Sequence, residues 1–334
     1  MISLAVKYRP KKFAEVVEQS ATKAILGQQL KKGNIKNAYL FCGGAGTGKT
    51  TCARIFADEI NKHKGTPIEL DAASNNSVDD VREIIQQSKS ASLDSEYKVF
   101  IMDEVHALSN QAWQALLKVL EEPPAKSIFI LCTTDPQKIP KTILSRVYRF
   151  DFQRISQKAI MDRLVAVLKE EEKENPSIKV SMSALEYIAK QAQGGMRDAL
   201  TMLDKCLSYS LELTLESVTE ALGAPSYQIM CDLITAMSQQ DIQTKLTIIN
   251  DVFMSGYDLK QFIKHFTNFV LDYYKFELGA EDYVECLLTP KIIDVFKRED
   301  LPDGTLSGLL KLQSDIKWDT NPKARIEAWC FIGE

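Results

Sequence analysis

Gly43-Gly44-Ala45-Gly46-Thr47-Gly48-Lys49-Thr50 is the stretch on which the fold turns. It matches G-x-x-x-x-G-K-[ST], follows the apolar run Ala38–Cys42 and opens a helical pattern over Lys49–Asn61. Strand, loop and helix in that order form the context in which the pattern carries meaning. Glycines let successive backbone N–H groups curl around an anion with no Cβ in the way. The helix adds the positive end of its dipole. Lys49 then reaches the terminal phosphates of a nucleotide, and Thr50 places its hydroxyl on Mg2+. Residues Gly43 to Thr50, with the neighbouring Thr51, are the expected phosphate cradle.

A strand further downstream supplies the partner acids. Val99-Phe100-Ile101-Met102 is an apolar strand that ends in Asp103-Glu104. In α/β folds ligands sit at the C-terminal ends of strands. Asp103 is placed to hold the metal shell and Glu104 to orient and deprotonate an attacking water. The same pair could also serve as a helix N-cap. Further outward, the runs Ile68–Leu70, Ile128–Cys132 and Val147–Phe152 alternate with helical stretches such as Val78–Ser88 and Gln111–Leu120. This alternation predicts a mainly parallel sheet, with the pairing of the last run left open. After Phe152 the β signal stops. Gln157–Glu172, Ser183–Gln193 and Met196–Tyr209 read as amphipathic helices, with Gly194-Gly195 as a break. Gly223-Ala224-Pro225 reads as a linker to a third, helical region ending near Trp329. Trp113, Trp318 and Trp329 are expected in a core or an interface.

Bulk properties narrow the class. The 334 residues are 45% hydrophobic and 26% charged, ordinary for a globular protein. No apolar run approaches the ~18 residues of a membrane span, and Met1 to Pro10 lacks a signal-peptide core. A cytoplasmic protein with no membrane partner is expected. The seven cysteines are scattered, without a C-x-x-C pair, and read as apolar core residues in a reducing compartment. The net charge of −4 combines a mildly basic residues 1–150 with an acidic remainder. That asymmetry is compatible with a polyanionic partner but does not identify one.

Longer phrases go beyond a generic phosphate loop. They are Lys7-Tyr8-Arg9-Pro10 with Phe13-Ala14-Glu15-Val16-Val17, Asp71-Ala72-Ala73-Ser74-Asn75-Asn76, and Asp103-Glu104-Val105-His106-Ala107-Leu108-Ser109. Ala115-Leu116-Leu117-Lys118-Val119-Leu120-Glu121-Glu122-Pro123-Pro124, Thr133-Thr134-Asp135-Pro136-Gln137-Lys138-Ile139-Pro140 and Gly194-Gly195-Met196-Arg197-Asp198-Ala199-Leu200 follow in order. Together they resemble the gamma/tau ATPase subunits of bacterial DNA clamp loaders, an AAA+ family. The resemblance is strong over about residues 4–225 and weaker beyond, where Ile316-Lys317-Trp318 and Asn321-Pro322 look like the tail of the family's collar.

The resemblance implies three domains: a P-loop ATPase domain over residues 1–155 with a five-stranded parallel sheet, a helical lid over 156–222, and an all-helical collar over 223–334. It implies that Tyr8, Arg9 and Val17 border the adenine of ATP. Thr133 corresponds to the polar group near the γ-phosphate, and Arg197 to the lid arginine that touches the phosphates. Arg146, in Leu144-Ser145-Arg146, corresponds to a finger that reaches the ATP of a neighbouring subunit. A guanidinium suits that task because it offers a rigid planar donor set to developing charge.

The expected work is ATP-driven opening of a ring-shaped sliding clamp and its placement on primer–template DNA, within a pentameric spiral of loader subunits. DNA contacts should go to backbone phosphates. Asn76, Ser77, Arg82 and Lys126 are the candidates, although Asn76 and Ser77 also read as helix caps. The clamp-facing edge is expected near Ala91-Ser92-Leu93. His106 is expected to serve packing at the helix entry. Another AAA+ DNA motor of the branch-migration type and a non-catalytic loader subunit stay open as alternatives. The first would carry a winged-helix domain after the lid; the second would lack an intact Lys49, Thr50, Asp103 and Glu104.

Three departures from the family pattern stand out. Asn61–Pro67 bridges the place where a four-cysteine zinc module usually sits, so no zinc is expected and His63 reads as a surface residue. Val147 stands where the finger motif normally ends in cysteine. Glu18 replaces the glycine usual before Gln19. The long tau tail is not expected in this chain.

Overall fold

The computed structural model describes residues 2–92 and 94–332, so Leu93 of the expected clamp-facing edge lies outside the described residues. The chain divides into two compact units, Met1–Lys169 with Gln191–Thr201, and Glu170–Lys190 with Met202–Glu334.

The first unit is built on β1 (Ala38–Cys42), β2 (Ile68–Asp71), β3 (Lys98–Asp103), β4 (Ser127–Thr133) and β5 (Tyr148–Asp151). They lie in the order β2-β3-β4-β1-β5, and every pairing is parallel. The last strand is no exception, with Tyr39 opposite Tyr148 and Cys42 opposite Asp151. All of β1 and β4 is buried, as befits central parallel strands covered on both faces. Side chains alternate across a strand. Tyr39 and Phe41 therefore join one core layer with Leu26, Cys52 and Phe56, and Leu40 and Cys42 join the other with Ile84, Trp113 and Leu116. Helices α1 (Ser20–Lys32) and α2 (Lys49–Ile60) cover the first face; α3 (Val78–Ser88) and α4 (Asn110–Glu121) cover the second.

Parallel strands end on the same edge. Asp71 pairs in register with Asp103, and Cys42 with Thr133. The first glycine of the phosphate loop, the two acids and Thr133 are thereby delivered to one side of the sheet. Local chemistry fixes the helices there. Ser77 caps α3 in a reciprocal box with Asp80, and the Ser109 hydroxyl accepts the Ala112 N–H at the start of α4.

In the second unit α6 (Met182–Gln191) and the end of α7 (Met196–Tyr209) accompany a two-residue parallel pair, β6 (Lys179–Val180) with β7 (Glu212–Leu213). That pair corrects the expectation of no strand beyond Phe152; two ladder positions are too few to leave an alternating pattern. The helix Gln157–Glu174, α5, runs two residues past its expected end. Gly223 closes the helix Leu215–Leu222 at φ 71°, and Ser226 caps the next, Tyr227–Ser238, so the expected linker is a cap-to-cap turn.

From residue 215 to 332 the described elements are all helical. The longest, Leu259–Glu277, buries Phe262, Phe266, Phe269 and Tyr273 in a core shared with Trp329. Each such side chain contributes roughly 1.5–3 kcal/mol on burial. Trp113 and Trp329 are each 5% exposed, whereas Trp318 is 84% exposed and lies under the Lys317 ammonium. Trp318 is thus not a core residue: it follows the last turn of the helix Thr305–Ile316, where the apolar periodicity has ended.

Candidate nucleotide site

At the sheet's C-terminal edge the phosphate loop curls as the glycines allow. Gly46 and Gly48 sit at φ 68° and 100°, in the left-handed region. A Cβ on Gly46 would lie 2.8 Å from Gly195 Cα. The loop is closed from the other side too, because the Met196 N–H donates to Gly46 O at 3.0 Å. Thr47 is buried, and its hydroxyl donates to Gly44 O at 2.9 Å.

Lys49 is 6% exposed and donates to Gly43 O and Gly44 O, both at 2.8 Å. Burial pulls its pKa below the ordinary lysine range, and the nearby Glu104 and Asp103 charges work against that shift. A buried ammonium held mainly by loop carbonyls calls for an anion. Thr50 Oγ1 donates to Asp103 Oδ2 at 2.7 Å. Hydroxyl and carboxylate side by side are the hard oxygen donors that would hold a divalent cation, which would offset phosphate charge.

A cavity of about 270 Å3 opens over this cradle. Tyr8, Arg9, Val17, Ala45 to Thr51, Asp103, Glu104 and Arg197 all line it. Among the residues assigned to the ATP site from sequence, Gly43, Gly44, Thr133 and Arg146 stand outside the lining. The Gly43 and Gly44 carbonyls accept from the Lys49 ammonium instead, and Thr133 is fully buried. Glu104 sits at φ 48° with its Oε2 accepting from Thr134 N at 3.1 Å and Thr134 Oγ1 at 2.7 Å. It heads the short turn Val105–Ala107 without capping it. His106 does more than pack: its Nδ1 lies 3.2 Å from both Glu104 Oε2 and Thr133 Oγ1.

Several contributors were missed from sequence. Arg163, on α5, lines the cavity and donates to Tyr8 O at 3.0 Å. Gln19, 8% exposed, donates to Gln153 O at 2.8 Å and accepts from Gln153 N at 3.2 Å. Its amide also reaches Thr47 O at 3.4 Å, so one side chain ties Gln153 to the phosphate loop. Glu18, the departure from glycine, takes φ 53° and accepts from Ser156 N and Oγ at the head of α5. The signal for Gln19 was its polarity beside an apolar stretch; Arg163 carried none beyond its charge.

Arg146 does not join the cavity. Its guanidinium pairs with Glu121 Oε1 at 2.6 Å and donates to Thr142 O at 2.6 Å and Ser145 Oγ at 3.0 Å. The DNA candidates are not gathered either. Asn76 and Ser77 follow the C-terminal end of β2, and Arg82 is exposed and paired with Asp79 at 3.0 Å. Lys126 immediately precedes β4, at the opposite end of the sheet. His63 is exposed and pairs with Asp58 at 2.6 Å. Among the described residues no group of three or more His, Cys, Asp or Glu side chains is arranged to hold a metal, and no helix is long and apolar enough to cross a membrane. All seven cysteines are buried and unpaired.

The sheet order, the phosphate loop and the paired acids define an AAA+ P-loop fold. Thermotoga maritima RuvB, a Holliday junction branch migration motor, shares that fold with a TM-score of 0.51 at 20% identity, over 68% of this chain and 79% of that one. Within the class, residues 62–156 match the family model for the DNA polymerase III delta subunit, and residues 159–212 that for the ATPase lid domain of the DNA polymerase III clamp loader subunit. The DNA polymerase III subunit tau of Bacillus subtilis is 37% identical over 96% of this chain, and the subunit gamma of Buchnera aphidicola 32% over 80% of this chain and 78% of its own length. The chain belongs to the gamma/tau family of DNA polymerase III subunits. It spans 61% of the length of the Bacillus relative.

Proposed function

We propose that the chain is the ATP-hydrolysing subunit of a sliding-clamp loader, acting in the cytoplasm during DNA replication. The observation that carries this reading is the convergence of Lys49, Thr50, Asp103, Glu104 and Arg197 on one cavity. In it Lys49 binds the β- and γ-phosphates, while Tyr8, Arg9 and Val17 border the base. Thr50 and Asp103 hold Mg2+, which when bound neutralises phosphate charge. Glu104 orients the attacking water and takes its proton. Thr133 and Arg197 report the γ-phosphate to the strand end and to the lid. Arg146 serves the site of the next subunit.

The division into ATPase, lid and collar domains at residues 155 and 222 belongs to the same proposal, as do the pentameric spiral, the ring clamp and the primer–template DNA. Asn76, Ser77, Arg82 and Lys126 are proposed to meet the DNA backbone. ATP binding favours the spiral that grips clamp and DNA, and hydrolysis releases both. An intact Lys49, Thr50, Asp103 and Glu104 counts against a non-catalytic subunit. The all-helical run from 215 to 332 leaves no winged-helix domain there for a branch-migration motor. The test is ATP turnover of the purified loader with and without primed DNA and its ring clamp. Stimulation by both together, with clamp deposited on the DNA, is the expected result. Turnover indifferent to clamp would overturn it.

A further inference from the structure

Glu104 follows the end of β3 and Thr133 ends β4, and the side chain that touches both is His106. Its Nδ1 hydrogen-bonds Thr133 Oγ1 at 3.2 Å and stands 3.2 Å from Glu104 Oε2. The imidazole is three-quarters enclosed and the threonine fully buried. Hydrogen-bond arithmetic assigns the tautomer. An ionised carboxylate only accepts, so an Nδ1 lone pair facing Glu104 Oε2 would be repelled, and the hydrogen belongs on Nδ1. Thr133 Oγ1 already accepts from Asp135 N at 3.0 Å. With Nδ1–H as a second donor, both lone pairs of the hydroxyl are used. Its own hydrogen is then free of both partners, and Thr133 is left as a donor.

The consequence for Glu104 is complementary. Thr134 N, Thr134 Oγ1 and His106 all meet Oε2, and among the described residues no hydrogen bond reaches Oε1. One oxygen is pinned and the other is left for water. The backbone at φ 48° is an uncommon conformation for a residue with a Cβ, and such strain persists where the surroundings enforce it.

We infer that His106 is a positioning residue for hydrolysis: through one Nδ1–H it fixes Glu104 as an acceptor and Thr133 as a donor. This rests on the proposed role of Glu104 as general base. Only the Nδ1 position takes part, so a donor placed there is what the role requires.

The experiment compares the assembled loader carrying His106→Leu, His106→Asn, His106→Gln or Glu104→Gln, measuring ATP affinity and kcat separately. An asparagine amide sits close to the Nδ1 position, whereas a glutamine amide sits closer to Nε2. His106→Leu should bind ATP within about 2-fold of the parent and lose ~10- to 100-fold in kcat, the scale of a misplaced catalytic group. His106→Asn should return to within a few-fold, and His106→Gln should not. Equal kcat in the asparagine and glutamine variants would overturn the inference even if the leucine variant failed to fold. So would a parental kcat in His106→Leu beside a dead Glu104→Gln. An active Glu104→Gln would instead strike at the general-base reading, and the inference would fall with it.

Discussion

Two arginines of this chain, Arg197 and Arg146, occupy contrasting places in the first unit. Arg197 stands on the first turn of α7 and lines the candidate nucleotide cavity. Arg146 follows the single helical turn Lys141–Leu144 and is occupied by Glu121, Thr142 and Ser145, away from that cavity. A guanidinium acts on transition-state charge only by direct contact. On the proposed function, the contrast separates a group that would serve its own chain's nucleotide from one that would serve a neighbour's.

Substitutions can break or sharpen that contrast. Arg146→Ala should have the largest effect, lowering ATP turnover of the assembled loader by ~10³ or more while affinity stays within about 2-fold. Equilibrium binding of a nucleotide analogue beside steady-state turnover reads both. Lys49→Ala comes next. Removing a buried cation from a phosphate costs ~2–5 kcal/mol, so ATP affinity should fall ~30-fold or more with the fold intact by circular dichroism. Arg197→Ala, one of several lining residues, should weaken ATP binding by only about 10-fold, and calorimetric titration would show it. An Arg197→Ala variant with normal affinity and dead turnover would erase the distinction between the two arginines.

Smaller effects test the resting state. The Arg146 and Glu121 side chains are 33% and 44% exposed, and a pair so open to solvent is worth ~0–1 kcal/mol. Glu121→Gln should therefore lower stability by under ~1 kcal/mol in urea titrations. A loss of several kcal/mol would make Arg146 a structural residue. The smallest effect concerns His63, whose pKa is raised above 6.5 by its bond to the Asp58 carboxylate. A raised folded-state pKa gives stability that is present below 6.5 and lost as pH rises through the raised value. His63→Ala should remove that slight pH dependence from thermal melts and leave ATP turnover unchanged.

How much could be read in advance follows the same physical divide. Gly46, Gly48, Lys49, Thr50 and Asp103 were legible because anion binding demands backbone freedom, a cation and an acid at fixed spacing. The strand order placed them together through parallel register alone. Glu18, Gln19 and Arg163 were not legible as site residues, since their roles depend on segments more than 130 positions apart meeting, as in Gln19 with Gln153. His106 was read as packing because a lone histidine after two acids has no spacing rule; its role depends on β4 lying beside β3. In the helical second unit, apolar periodicity announced helices but could not tell the buried Trp329 from the exposed Trp318.

The central claim is that each catalytic site is built from two chains, with Lys49 and Glu104 on one and Arg146 on the next. It is tested most directly by mixing Arg146→Ala with Glu104→Gln, both inactive alone, and measuring ATP turnover in an assembly verified to contain both. Some interfaces then pair an intact Glu104 site with an intact Arg146 from the neighbour, and turnover should partly return. No recovery in such a verified mixed assembly would contradict the shared site, even with each single variant dead.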